Sequence, residues 1–320
     1  MNWVRNMPAA QQGVLSALLA VVFFSFNDMI IKFVSGGYAL HQVVLIRSII
    51  GFLIICFVIM PLTGGIRAFR TQRLGMHLIR GSFVVMANML FFLGLAAMPF
   101  AEAVAIFFIS PLVITIFSVI FLREVVGPWR WGAIMVGFIG VMVVMRPGTG
   151  TFQAASLLPL AAAVCYAALH ILTRKIGGTE SATTMALYIQ MTFVIVGVFA
   201  AITIGDGRFD TFDDPSLSFL LRAWVMPDPE DYTKFLALGV GVAFAGFFIS
   251  QAYRVAEAAL VAPFEYLAMP MAVFWGIFAF NEYPDATTYL GIALIVGSGL
   301  FTVWRENRRN KSTDTPRLRR

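Results

Sequence analysis

Two opposite charges stand inside apolar stretches near the start of this chain. Asp28 lies within VVFFSFNDMIIKF and Arg47 within QVVLIRSIIGF. An ionisable side chain surrounded by hydrocarbon is costly, so it is either neutralised by a partner or kept for work on a ligand or ion. At about 1.5 Å per helical residue, Asp28 falls roughly 22 Å from one end of its stretch. On the same rise Arg47 falls about 12 Å from the opposite end of the next. In a hydrocarbon core about 30 Å thick those depths nearly coincide, which predicts an Asp28–Arg47 ion pair across the first hairpin. Such a pair either fixes helix packing or handles substrate or protons. Lys32, one turn beyond Asp28, is expected to snorkel to the interface.

Glu265 is the second carboxylate of interest. It lies between Pro263 and Pro270 and is followed by Tyr266. Prolines free backbone carbonyls and kink helices, which is tolerated in a membrane where the helix lines a cavity. A carboxylate there is suited to a cationic or hydrogen-bonding group, or to a coupling proton. The structural alternative is a protonated Glu bonded between helices. His170 aligns roughly with Asn27 when the two chain halves are superposed on Lys32 and Lys175, so both are expected to face a central cavity. Asn88, Gln190, Tyr166, Arg80 and Gln251 are further polar candidates for substrate contact. Glu102 and Glu257 open helical stretches, where the helix dipole alone accounts for an acid. Aromatic residues near prolines and polar groups (Phe23, Phe24, Phe107, Phe108, Phe264, Phe274 and Trp275) suit either packing or the stacking of a flat ring.

No arrangement for covalent or metal chemistry accompanies these residues. The chain has three His and two Cys, and no His-Glu-x-x-His, Gly-x-Ser-Gly or Gly-x-Gly-Asp in its apolar stretches. No catalytic residue, cofactor or metal ligand is therefore assigned. Cys56 and Cys165 sit in apolar runs as packing residues.

The elements that must hold these groups follow from composition. Of 320 residues, 59% are hydrophobic and only 12% charged, with a mean hydropathy of +0.84. Soluble domains carry about twice that charge. The chain therefore reads as an all-α integral membrane protein. Ten apolar segments of spanning length lie near 13–34, 39–60, 76–97, 101–122, 128–145, 155–173, 182–204, 235–253, 256–280 and 287–304. Sixteen Lys and Arg fall at the N-terminus, the even-numbered loops and the tail, against four in the other loops. By the positive-inside rule both termini are cytoplasmic and the acidic loop 205–234 is outside. Seven of the basic residues crowd the last sixteen positions, which reads as a topology anchor and not as a nucleic-acid arm.

The chain also repeats itself. Ala101-Glu102-Ala103 opens a segment that contains Pro111 and ends at Glu124, and Ala256-Glu257-Ala258 opens one that contains Pro270 and ends at Glu282. Each is followed by a glycine-bearing segment: Gly132, Gly137 and Gly140 in one, Gly291, Gly297 and Gly299 in the other. Five spans per half is an odd number, so the halves enter the membrane from opposite sides. Inverted repeats of this kind build a central site in secondary transporters. The expected units are 1–148, 149–306 inverted relative to it, and a basic tail 307–320.

Ten spans in a five-plus-five duplication, with a Pro-bearing segment ending in Leu122-Arg123-Glu124, resemble the drug/metabolite transporter superfamily, EamA type. In the second copy the usual Gly-Glu ending reads Asn281-Glu282. The resemblance implies a secondary transporter of the bacterial inner membrane that moves small organic solutes by alternating access, without ATP. The chain has no Gly-x-x-x-x-Gly-Lys-Ser/Thr loop for a nucleotide, which agrees. Within the family, riboflavin uptake, S-adenosylmethionine uptake or exchange, and amino-acid or drug efflux stand open, and the aromatic supply favours riboflavin. Expected partners are a small-molecule substrate, the lipid bilayer and a second copy through the glycines of the fifth and tenth spans. An intramembrane enzyme or a channel is the alternative from a different class, and single, scattered polar residues favour neither.

Overall fold

The structure is a computed structural model that describes residues 7–63, 65–147, 153–211 and 213–313. Arg5, the boundary expected at 148/149 and the side chains of the basic tail lie outside the described residues. Every regular element among the described residues is helical. They are α1 (Ala9–Val34), α2 (Leu40–Thr63), α3 (Leu74–Ala97), α4 (Phe100–Leu122), α5 (Pro128–Met145), α6 (Leu157–Ile176), α7 (Ala182–Ile204), a short α8 (Pro215–Leu221), α9 (Tyr232–Val255), α10 (258–280) and α11 (Ala286–Thr313).

Seven of the helices are long and apolar enough to cross a membrane, and three shorter apolar helices, Trp131–Met145, Phe264–Phe280 and Ala286–Phe301, join them. The outward faces carry Phe57, Phe121, Ile202 and Phe278, all well exposed. A surface this apolar is stable against lipid, not water. With the length and hydropathy of its helices, this makes the chain a multi-pass membrane protein.

Two helices are interrupted. In α4 the α-helical pieces Phe100–Phe107 and Ser110–Leu122 are separated at Phe108 and Ile109. Pro111 explains the break, because its ring excludes the carbonyl of Phe107 four residues earlier. In α10 a 3-10 segment, Ala262–Leu267, separates the turn Ala258–Val261 from Ala268–Phe280, and Pro270 stands in the same relation to Tyr266. The two helices also end alike. Arg123 and Asn281 adopt the left-handed conformation (φ 58° and 54°), and the next residue's N–H reaches back, Glu124 to Ser118 (3.2 Å) and Glu282 to Gly276 (2.9 Å).

Lys32 does not snorkel, because acceptors lie within its reach. Its Nζ donates to Glu282 Oε1 (2.6 Å) and to the Met98 carbonyl (3.1 Å). Glu282 Oε2 accepts from the Phe100 N–H at 2.7 Å, which places a carboxylate at the N-terminus of α4. Nearby, Arg146 Nη2 donates to Asp285 (2.5 Å) and Asp285 caps α11 through the Thr288 N–H (2.8 Å). The Arg146 guanidinium and Thr288 hold the Asp285 carboxyl down at about 2.

The loop between α7 and α9 folds back over the α1–α2 turn. Arg222 donates to the Ser35 and Gly36 carbonyls (3.2 and 2.6 Å), and Tyr38 donates to Asp231 (2.5 Å). Four of the six glycines of the fifth and last spans are packed within the chain. A Cβ on Gly140 would lie 2.8 Å from the Gly291 carbonyl, so these glycines let α5 and α11 touch within one chain. Gly137 and Gly299 are likewise filled, by Leu112 and Tyr266. Gly132 and Gly297 are the two of the six with open space.

Candidate functional site

A cavity with about 1100 Å³ of open space, part of it continuous with the exterior, lies between α1, α2, α3, α4, α6, α7, α9 and α10. Eight of the sequence candidates line it: Asn27, Asp28, Arg47, Asn88, Tyr166, His170, Gln190 and Glu265.

Arg47 is fixed by amides, not by the predicted carboxylate. Its Nη1 donates to Asn27 Oδ1 and its Nη2 to Asn88 Oδ1, both at 2.8 Å. Asn27 is itself held by Nδ2 donating to the Leu238 carbonyl (3.0 Å), and Asn88 by Nδ2 donating to Val84 (3.1 Å). The guanidinium sits 5.0 Å from the Phe92 ring centre and 5.5 Å from that of Phe193, within cation–π range. The Asp28–Arg47 ion pair is therefore corrected. Neighbouring side chains on a helix point about 100° apart, and the register gives the inward position to Asn27. Asp28, half-buried in the cavity wall, has no hydrogen bond or ion pair among the described residues, and Arg47 acts on it only through its field.

The second polar group centres on Glu265, buried on the 3-10 segment of α10. Tyr166 of α6 donates its hydroxyl to Glu265 Oε2 (2.9 Å), and Tyr253 of α9 donates to Oε1. His170 lies between the same two rings, edge-on to Tyr166 (4.1 Å) and stacked on Tyr253 (4.0 Å). Among the described residues, neither ring nitrogen of His170 has a partner, and Gln190 Oε1 is also unpartnered. Gly51 makes room for Gln190, whose Nε2 would lie 3.2 Å from a Cβ there. Phe24, Phe91, Phe92, Phe100, Phe107, Phe108 and Phe193 supply aromatic walls around these groups.

Other candidates lie elsewhere. Tyr266 points away from the cavity, packs on Gly299 and Phe108, and leaves its hydroxyl unpartnered. Its neighbour Glu265 takes the cavity face, which is the physical reason for the correction. Arg80 belongs to a separate buried cluster: its Nε donates to Thr173 (3.0 Å), beside His77, which stacks on Tyr188 and lies 3.5 Å from Glu180. Gln251 accepts from Arg254 Nε (3.2 Å). Phe23 stacks on Phe244 and Phe248, and Trp275 donates to Ser25 (3.0 Å). Tyr253 was not singled out in the sequence. It ends the apolar run 235–253, and nothing local points to Glu265 twelve residues on. No cluster among the described residues is fit to hold a metal ion.

Comparison with known proteins adds the following. Residues 11–146 match the EamA-like transporter family. A riboflavin transporter of Vibrio cholerae is 31% identical over 305 residues, covering 94% of this chain and 95% of that protein. An S-adenosylmethionine uptake transporter of Rickettsia prowazekii is 27% identical over 92% and 94%. The pseudopaline exporter of Pseudomonas aeruginosa is 26% identical over 89% and 94%. A solved crystal structure, 18% identical, superposes with a TM-score of 0.69 over 93% of this chain and 99% of its own, which establishes the fold alone.

Proposed function

This chain belongs to the EamA-like transporter family, and from that premise we propose that it carries a flat, nitrogen-rich heteroaromatic metabolite, riboflavin first, into the bacterial cell through the central cavity. One observation carries the substrate reading. The fork of Arg47, held by Asn27 and Asn88 against Phe92 and Phe193, stands in an aromatic-walled cavity beside unpartnered Gln190 Oε1. Such a wall stacks a flat ring system while fixed polar groups read its edge.

The cavity is reached alternately from each side, by rocking of two inverted halves, 1–148 and 149–306. The helix partnerships support that duplication: α1 packs on α9 as α6 packs on α3, and α5 on α11. The matched breaks in α4 and α10 support it too, because interrupted helices mark the central site of inverted-repeat transporters. The seven long and three shorter apolar helices cross the bilayer as ten spans, with both termini in the cytoplasm and the membrane a bacterial inner one. The chain works as a transporter without a cofactor and not as an enzyme, a reading supported by the transporters it resembles.

A second reading rests on Asp28. Its carboxylate faces the cavity without a partner, which suits a cationic group, and S-adenosylmethionine joins a cation to a flat adenine ring. Thermal unfolding of the purified protein with riboflavin, S-adenosylmethionine and tryptophan separates these. A ligand at about 100 times its Kd adds about 2.7 kcal/mol to the folded state. Stabilisation by riboflavin supports the first reading; stabilisation by S-adenosylmethionine alone replaces it with the second.

A further inference from the structure

We propose that Glu265 is where this transporter takes up the proton that drives it, with Tyr166 and Tyr253 as the hydroxyl pair that reports its protonation to the cavity. The inference rests on the reading that the cavity moves a metabolite, and it names the coupling ion and its seat.

The geometry separates the two cavity carboxylates. Asp28 is open to a ligand. Both oxygens of Glu265 are taken by hydroxyl donors, Oε2 by Tyr166 and Oε1 by Tyr253, and the residue is 3% exposed. A cationic substrate would have to displace both phenols to reach it. A metal cation fares no better, because hard cations demand several oxygen ligands, and here the carboxylate is surrounded by O–H groups that point at it. A proton needs one lone pair and no coordination shell.

Its arrival changes the hydrogen bonding in a defined way. The ionised carboxylate accepts two O–H bonds. Protonation forms a new O–H bond on one carboxyl oxygen, and that hydrogen requires an acceptor. The acceptors at hand are the two tyrosine hydroxyl oxygens that already lie within hydrogen-bond distance of the carboxyl. One phenol must therefore turn its hydrogen away from Glu265. Tyr253 is fully buried under His170, whereas Tyr166 lines the cavity and meets Phe107 edge-on at 5.1 Å, at the last residue before the break in α4. Tyr166 is the one free to move, and its movement reaches both the substrate wall and the interruption of α4. Release of the proton to the opposite side restores the two-donor arrangement.

The groups that face Glu265 are few. Tyr166 and His170 come from α6 and Tyr253 from α9, while Tyr266, on its own segment, faces Gly299. Asp28 of α1 acts on Tyr166, and Arg80 of α3 acts on His170, both through the field alone. Among the described residues, α4 and α11 bring no charged group to the carboxylate.

The test has a substrate-independent arm and a flux arm. Infrared pH-difference spectra of the purified protein should show a titrating carboxylic-acid C=O band, lost in Glu265→Gln and moved to higher pH in Tyr253→Phe, which removes a donor that favours the anion. A side chain with a merely structural role would leave that titration unmoved. In proteoliposomes, with riboflavin as the probe, Glu265→Gln should lose at least tenfold of the acceleration that an imposed pH gradient gives the wild type. Tyr253→Phe serves as the flux test if Glu265→Gln does not fold. No titrating band, a band displaced by sodium at fixed pH, or undiminished gradient-driven flux in Glu265→Gln would each overturn the proposal. If the wild type carries no riboflavin, the substrate reading falls while the infrared arm still decides the proton site.

Discussion

Lys32 and Glu282 are separated by 250 residues and meet at 2.6 Å, with the second Glu282 oxygen on the Phe100 N–H. One carboxylate thus ties the end of α1 to the end of α10 and the start of α4. The pair is partly buried, with side-chain exposures of 12% and 30%, so solvent screens it only in part.

A double-mutant cycle on this pair should return a real coupling. Lys32→Met and Glu282→Gln singly destabilise the protein, and the double variant loses less than their sum. The coupling expected for contacting residues is about 0.5–3 kcal/mol. Denaturant titration in detergent measures it, and strict additivity would mean that the pair contributes nothing.

Removing an amide from Arg47 should be costly in a different way. Asn88→Ala leaves a buried guanidinium donor without an acceptor, a loss of about 1–3 kcal/mol. Asn27→Ala should cost at least as much, since it also strips the Leu238 carbonyl of its donor. Both variants are predicted to weaken ligand binding in the thermal-shift assay, because the fork is no longer held in place.

Asp28→Asn distinguishes the two substrate readings. The swap keeps the side chain's size and removes its charge. Riboflavin binding should be unchanged within about twofold, whereas a cationic ligand that depended on Asp28 should bind at least tenfold more weakly, by the roughly 1.4 kcal/mol that separates each decade. Equilibrium binding of the two ligands to wild type and variant reads the difference.

Gly140 and Gly291 should not tolerate side chains. Gly291→Val or Gly140→Leu forces α5 and α11 apart, and overpacking typically costs about 1–3 kcal/mol. Gly132→Ala and Gly297→Ala, which meet open space, should leave the melting temperature within a degree or two; a uniform loss across all four would contradict the close approach.

Asp285 gives a pH signature outside the membrane. Its folded value, about 2, lies below the ordinary 3.8, so its contribution is complete above 3.8 and disappears as pH falls through 2. The stability advantage of wild type over Asp285→Asn should therefore be constant at neutral pH and shrink between about pH 4 and 2. The side chain is half exposed, so the effect is small, and a melting series across that range is enough to follow it.

The sequence by itself determined that this chain lives in a membrane, where its apolar runs lie, that α10 departs from a straight helix near Pro270, and which polar residues are buried at depth. Those facts follow from hydropathy, from proline geometry and from the cost of charge in hydrocarbon, all of which act locally. Depth along a helix is readable from residue count. The direction a side chain faces is not, because one residue turns it by about 100° and the neighbouring helix decides which direction is inward. That is why Arg47 meets Asn27 in place of Asp28, and why Glu265 faces the cavity while Tyr266 faces Gly299. Lys32 departs from the expectation for a related reason. Its partner, Glu282, lies 250 residues on, and only tertiary packing brings it within reach. A polar group in an apolar interior bonds to whatever acceptor the tertiary structure supplies, and that choice is made between helices, not along them.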